Sequence, residues 1–531
     1  MNATPIDRGS LSRPESLERL RRTRRFDLLV VGGGATGLGV ALDAATRGLS
    51  VALVERDDFA KGTSSRATKL VHGGVRYLAQ GNLGLVREAL RERKAILGNA
   101  PHLAQPLSFL VPAFGLKGRL WDRPFYASGL MMYGLLAGKA GLGDTHLLNR
   151  AETIATLPGV RTDDLVGAVQ YWDGQFDDAR LAVALARTAA AHGAVVLNHC
   201  PVQGLLHADG RVNGASVTDA ETGEGLDVHA GCIVNATGVW VDDLRRMDLD
   251  AESHMVSPSQ GIHLVVDREF LPGDHALLVP KTDDGRVMFA VPWLGKLLLG
   301  TTDTPRDTIE PEPTPLADEV DFILGEAGKY LAHVPSESDV RSIWGGVRPL
   351  VRPPRVAESN TRDMSREHVI VVDESGLVTV TGGKWTTYRA MAEDVIGRCL
   401  EAGLLEPGEP CRTIDLQLIG APKTATHKIC DPPGAHLYGT EAALLDGLPG
   451  HQRELGMGLT EAMVRFAVRY EAARTVEDVL ARRSRVLFLD AQLAAALAEE
   501  VASIIAAELG RETEDVAGFK KLAQRYRTLP G

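Results

Sequence analysis

Cysteine is scarce in this sequence. Five residues, Cys200, Cys232, Cys399, Cys411 and Cys430, are scattered along 531 positions, and none sits in a C-x-x-C pair. That speaks against a disulfide framework or a thiolate zinc site and fits a reducing compartment; no metal site is expected. Long hydrophobic runs are missing too. The longest uncharged apolar stretch, Pro124 to Gly138, has 15 residues, against about 20 for a membrane-spanning helix. A positive charge balance is absent: 58 Lys+Arg against 69 Asp+Glu leave a net charge of -11. General nucleic-acid binding is not expected of such a chain, because it needs a basic face or stripe. The opening "MNATPIDRGSLSRPESLERLRRTRR" has no apolar core, so no secretory signal is expected. No low-complexity segment appears.

What is present is ordinary globular material, 44% hydrophobic and 24% charged. The length allows two or three domains and a large core. Residues 1–25 read as a basic leader, with six arginines between Arg13 and Arg25. Two readings stand open for it, a solvated arm and a contact with anionic lipid headgroups. The Pro124–Gly138 stretch is likewise open between a core helix and a membrane-interface helix.

The clearest unit starts at Phe26. "FDLLVV" reads as a buried strand, "GGGATG" as a tight turn, the residues up to Gly48 as a helix, and "SVALVE" as a second strand. Within this βαβ unit, Gly32, Gly34 and Gly37 form G-x-G-x-x-G. Gly32 allows the turn, Gly34 admits a pyrophosphate, and Gly37 lets the helix pack on the strand. The helix N-terminus offers free N–H groups to phosphate. Glu55 follows Gly37 by 18 residues, a position suited to an adenosine ribose. No second such motif follows, which favours a retained FAD over a nicotinamide donor.

The remaining pattern predicts a helix over 178–193, antiparallel hairpins between about 200 and 230, and short strands from 258 to 304. Two strands, a Gly-Gly turn and a helix from about Trp385 close the main body. The expected class is α/β (α+β). A Rossmann-like FAD-binding domain (26–100, 170–255 and 340–405) is joined to an antiparallel-sheet substrate domain (101–169 and 256–339). A helical C-terminal domain spans 410–531.

The segment from Asp27 to Leu78, which ends in "TSSRATKLVHGGVRYL", is followed in order by "NATGVWVDDL", "IWGGVRPLVRPPRVAESNTRD" and "TVTGGKWTTYR". Together these resemble the FAD-dependent glycerol-3-phosphate dehydrogenases over about residues 25–400. The resemblance implies a fold of the D-amino-acid oxidase and glycine oxidase group. It implies oxidation of sn-glycerol 3-phosphate to dihydroxyacetone phosphate, with electrons passed to a quinone. It places the glycine turn, Glu55, Ser64, Ser65 and Lys69 along the FAD, with Val202 at the adenine. Ala236 and Gly238 come close to the cofactor. Gly383, Lys384 and Thr386 lie under the flavin, and His72 lies beside its ring. It assigns Arg76, Tyr77, His263, Arg348, Arg362 and Lys384 to the substrate. It also implies a cytoplasmic enzyme, peripheral on the inner face of the membrane, and allows a homodimer.

The chemistry has matching needs. Glycerol 3-phosphate is a dianion, and arginine meets phosphate oxygens in pairs. Loss of hydride from C2 requires loss of the hydroxyl proton. His72 and His263 are candidate bases, and Arg348 is an alternative that lowers the hydroxyl's pKa. Arg348 and Lys384 are suited to stabilising the alkoxide. The runner-up reading is a flavin oxidase of the same fold that uses oxygen on glycerol phosphate or an amine.

Overall fold

Strand Phe26–Val31 is apolar on both faces apart from Asp27, and Val51–Val54 is buried throughout. Such strands need cover on both sides, which parallel sheets receive from crossover helices. In the computed structural model, which describes residues 9–74, 82–248, 254–352, 368–512 and 516–530, they form the centre of the first sheet. Its order is His368–Val372, Leu377–Gly382, Gly225–Asn235, Phe26–Val31, Val51–Val54, Val195–Leu197. All pairs are parallel except the one between the first two strands. Helix Ala35–Thr46 packs against helices Asp178–Ala191 and Tyr388–Glu401. The hairpin Val202–Ala208 and Arg211–Thr218 extends from the outer half of Gly225–Asn235.

The second sheet has ten strands. Its pairs are antiparallel, except that Ala276–Val279 runs parallel to Ala104–Phe114. Two segments depart from the expected boundaries. Strand Ser342–Val351 pairs along its whole length with Val256–Asp267, so it belongs to this sheet and not to the nucleotide-binding one. Strand Leu165–Phe176 crosses the boundary expected at 170 and pairs with Ala104–Phe114. Alternation announces a strand but does not name its partner.

The arginine-rich leader packs on the body of the protein through Arg13, Leu17 and Leu20, while Arg19, Arg21, Arg22, Arg24 and Arg25 are exposed. Arg13–Arg22 is a helix with Leu17 and Leu20 buried. Arg13 is buried, ion-paired with Asp219, and donates to the Asn198 carbonyl (2.7 Å). The Pro124–Gly138 stretch forms helix Arg123–Ala137. Ala127, Leu130, Tyr133 and Ala137 face inward, while Phe125, Met131, Met132 and Leu135 are exposed. All five cysteines are free thiols, four of them buried.

The C-terminal region is helical, with Glu461–Tyr470, Ala491–Leu509 and Val516–Arg527, plus a two-stranded ribbon at 454–460. It is bound to the rest of the chain by buried charge pairs. Arg482 and Arg483 both hold Asp58 of the first βαβ unit, and Arg180 pairs with Glu471 (2.8 Å). His199 and Asp478 lie beside Asp58 (2.9 Å between them). The arginines take the carboxylate oxygens of this cluster, which makes it an ionic joint.

Candidate active site

A single cleft of about 1250 Å³ runs between the two sheets. One end is the glycine turn. Gly32 has φ +113°, and a β-carbon there would lie 2.6 Å from the Ala236 carbonyl oxygen. Gly37 packs against the carbonyl of Gly32 too closely for any side chain. Gly34 and Ala35 open helix Ala35–Thr46 toward the cleft, and the Ala35 N–H donates to Ser64 Oγ (2.9 Å). Glu55 accepts from the Gly33 N–H (2.6 Å) and the Asp57 N–H (2.9 Å). Burial raises its pKa, against the pull of those two donors. A side-chain-free turn, a helix N-terminus and a carboxylate at the end of the next strand fit the ADP half of FAD.

The cleft also carries Val202, Ala236, Gly238, Gly383, Lys384 and Thr386 on its walls, together with His72. The His72 N–H donates to Thr386 Oγ1 (3.2 Å), which joins the two flavin-side segments of the sequence. Two residues expected along the cofactor are elsewhere. Ser65 and Lys69 do not line the cleft; both are buried behind it. Lys69 Nζ donates to the Ser65 carbonyl (2.8 Å) and to Asp178 (2.7 Å). An ammonium so enclosed needs a carboxylate partner, and Asp178 lies too far along the chain to be recognised as one from sequence.

The other end is built on two adjacent antiparallel strands. Along them Ser259, Gly261 and His263 stand opposite Arg348, Gly346 and Trp344. Period-two alternation puts all six on one face. The His263 ring stacks on Trp344 (centroids 4.3 Å, 24° between planes). Its Nε2 lies 3.0 Å from Thr68 Oγ1, and its buried Nδ1 has no hydrogen-bond partner. Burial, then Lys69 and Arg348, hold its pKa well below the usual histidine value, so the imidazole is neutral. Gly261 leaves room for the Arg348 guanidinium, which a β-carbon would strike. Arg348 donates to the Thr302 carbonyl (2.9 Å), Asp303 (3.1 Å) and Thr301 Oγ1 (3.3 Å).

Arg76, Tyr77 and Arg362 lie outside the described residues. Thr68, Thr301, Thr302, Asp303 and Trp344 were not singled out by sequence. The Gly-Thr-Thr-Asp after a strand was a signal for three of them, but which strand faces it is not readable from one chain.

Between the ends, the cleft opens into an apolar lobe walled by Phe109, Phe125, Leu130, Met132, Tyr171 and Phe289. Asp173 lies at its back, where it accepts from Arg93 (2.8 Å), Tyr133 (3.0 Å) and the Gly73 N–H (3.1 Å).

Residues 27–389 match the family of FAD dependent oxidoreductases, and residues 411–516 match the C-terminal domain of alpha-glycerophosphate oxidase. The mitochondrial glycerol-3-phosphate dehydrogenase of Macaca fascicularis is 41% identical, over 96% of this chain and 73% of that protein. The Saccharomyces cerevisiae mitochondrial protein of the same description is 37% identical, over 91% of this chain and 86% of that one. The crystal structure of the Bacillus halodurans glycerol-3-phosphate dehydrogenase complexed with FAD superposes with a TM-score of 0.77. It shows 29% identity and covers 98% of this chain and 99% of that one. With the dinucleotide turn, the two-sheet cleft and the helical C-terminal region in agreement, this chain belongs to the FAD-dependent glycerol-3-phosphate dehydrogenase family, and FAD is its cofactor.

Proposed function

We infer that the protein oxidises sn-glycerol 3-phosphate to dihydroxyacetone phosphate. The observation that carries this reading is the placement of His263 and Arg348 on the same cleft as the glycine turn. FAD held by the glycine turn and Glu55 would supply the two-electron acceptor for the C2 hydride. The chain's own residues do the rest. Arg348, fixed by Asp303 and two threonines, presents a guanidinium to the dianion. The resemblance assigns Arg76, Tyr77, Arg362 and Lys384 to the same dianion, and Lys384 lines the cleft. His263, neutral before substrate arrives, accepts the C2 hydroxyl proton, and the substrate's own negative charge raises its basicity as it binds. Arg348 and Lys384 stabilise the alkoxide as it forms. His72 is held by Thr386 on the flavin side and serves the cofactor.

Electrons leave to a quinone in this reading. Phe125 and Met132 both line the apolar lobe and stand exposed at its rim, 70% and 53% respectively. Leu116, Leu120, Trp121 and Leu135 lie exposed on the same 115–137 segment. No helix among the described residues is long and apolar enough to cross a membrane. A helix seated in the headgroup region with this face would bring the lobe to a lipid-dissolved acceptor. The enzyme is then peripheral on the membrane's inner face.

The test is a steady-state assay with glycerol 3-phosphate. Reduction of a quinone analogue without peroxide supports the dehydrogenase. Stoichiometric peroxide would favour the oxygen-using oxidase.

A further inference from the structure

Behind the His263–Trp344 stack lies a fully buried ionic cluster drawn from three parts of the chain. Lys69 comes from the segment after the cofactor turn. Asp177 and Asp178 stand at the start of helix Asp178–Ala191. Arg485 comes from the C-terminal region. The side chains of all four are buried, Lys69 and Arg485 with no exposure at all.

The contacts converge on one carbonyl and one carboxylate. The Ser65 carbonyl accepts from both Lys69 Nζ and Arg485 NH2, each at 2.8 Å. Asp178 receives Lys69 (2.7 Å), the Ala67 N–H (3.1 Å) and Arg485 (3.2 Å). Arg485 sits at φ +67°, an uncommon conformation for a side-chain-bearing residue. Its guanidinium lies over Phe488 (4.1 Å), and NH1 donates to the Ala481 carbonyl (2.8 Å). Lys69 Nζ also lies 4.6 Å from the centre of the Trp344 ring, on which His263 is stacked.

The segment so gripped has two outputs. Ser64 binds the first turn of the cofactor helix, and Thr68 binds His263 Nε2. We propose that Lys69 and Arg485 are a positioning pair that locks residues 64–69, so that the C-terminal region fixes His263 through Thr68 and Trp344 and forms part of the working site. The pair also sets the charge around the imidazole. The charged groups facing His263 are Lys69 behind Trp344 and Arg348 on the neighbouring strand. Those facing Lys69 are Asp177, Asp178 and Arg485. This inference rests on His263 acting as the base.

The test uses FAD-loaded, full-length enzyme. Wild-type protein is first mixed anaerobically with glycerol 3-phosphate; failure of the flavin to bleach would sink the functional reading itself. With bleaching established, kcat, KM and FAD content are measured for Arg485→Lys, Thr68→Val and the double variant. Each single change is expected to lower kcat by about tenfold, to move KM by less than about threefold, and to retain FAD. Because both act through one contact, the double variant should fall no more than about twofold below the weaker single. Multiplied effects, or a loss reversed by added FAD, would overturn the proposal. Thr68→Val guards against misfolding of the arginine variant: wild-type kcat there overturns the proposal by itself, and Thr68→Ser should restore activity. Lys69→Met removes a positive charge near His263, so the acid limb of kcat/KM should move to higher pH; an unmoved limb contradicts the charge role.

Discussion

Gly300 lies directly opposite His263 on neighbouring antiparallel strands, and a β-carbon at Gly300 would collide with the imidazole, reaching within 3.1 Å of Cγ. The ring cannot retreat, because Trp344 is stacked on its other partner strand. Gly300→Ala should therefore displace the base while leaving the cofactor turn intact. A fall in kcat of about a hundredfold with FAD retained is expected. Rapid-quench or steady-state kinetics on the purified variant would measure it.

Gly261→Ala tests the other half of the site. Its β-carbon would lie 2.6 Å from Thr301 Oγ1 and against the Arg348 guanidinium. The guanidinium meets the dianion on binding and also stabilises the alkoxide, so both constants should respond. The expected result is a KM for glycerol 3-phosphate raised about tenfold or more, with a smaller change in kcat. Comparing the two glycine variants separates phosphate binding from proton removal.

Acid stability should depend on His102. Burial and Arg180 lower its pKa to about 3, while the unfolded chain has the ordinary value of 6.5. Below pH 6.5 the unfolded state binds a proton that the folded state refuses, so stability falls as pH drops from 6.5 toward 3. The upper limit of this loss is about 5 kcal/mol. Urea unfolding at pH 5 and pH 7 should show a smaller difference for His102→Leu than for wild type.

The last helix should stiffen the cleft wall. Tyr526 donates to Glu312 Oε2 (3.0 Å), and the other oxygen of that carboxylate accepts from Arg66 (2.6 Å). Arg66 reaches on to the Gly345 carbonyl (3.0 Å) in the strand that carries Arg348. Tyr526→Phe leaves the shape and removes one buried bond to a charged group, which should cost about 2 kcal/mol. Denaturant unfolding measures this directly.

What was legible in the sequence was local. Gly32, Gly34 and Gly37 announce their turn because strand, turn and helix are contiguous, and Glu55 follows at the end of the next strand. Of the second sheet, the strands between 258 and 304 are legible as strands, while Ala104–Phe114, Leu165–Phe176 and Ser342–Val351 carry no such reading. Pairing is not legible locally, so the 340–405 segment expected in the FAD-binding domain includes Ser342–Val351, which pairs with Val256–Asp267, and nothing nearby in sequence marks Asp303 as the carboxylate beside Arg348. Lys69, which the resemblance assigns to the cofactor, is buried behind the cleft, and its burial depends on the carboxylates of Asp178 and Asp177, which only the fold brings to it. Arg13 in the leader shows the same limit, since its partner Asp219 lies 206 residues away.

The central claim is that one cleft holds FAD and oxidises glycerol 3-phosphate against it. Anaerobic mixing of the purified flavoprotein with glycerol 3-phosphate tests this most directly. The account predicts bleaching of the oxidised flavin absorbance, formation of one dihydroxyacetone phosphate per flavin, and recovery of the absorbance on adding a quinone analogue. A flavin that stays oxidised in the presence of saturating glycerol 3-phosphate would contradict it.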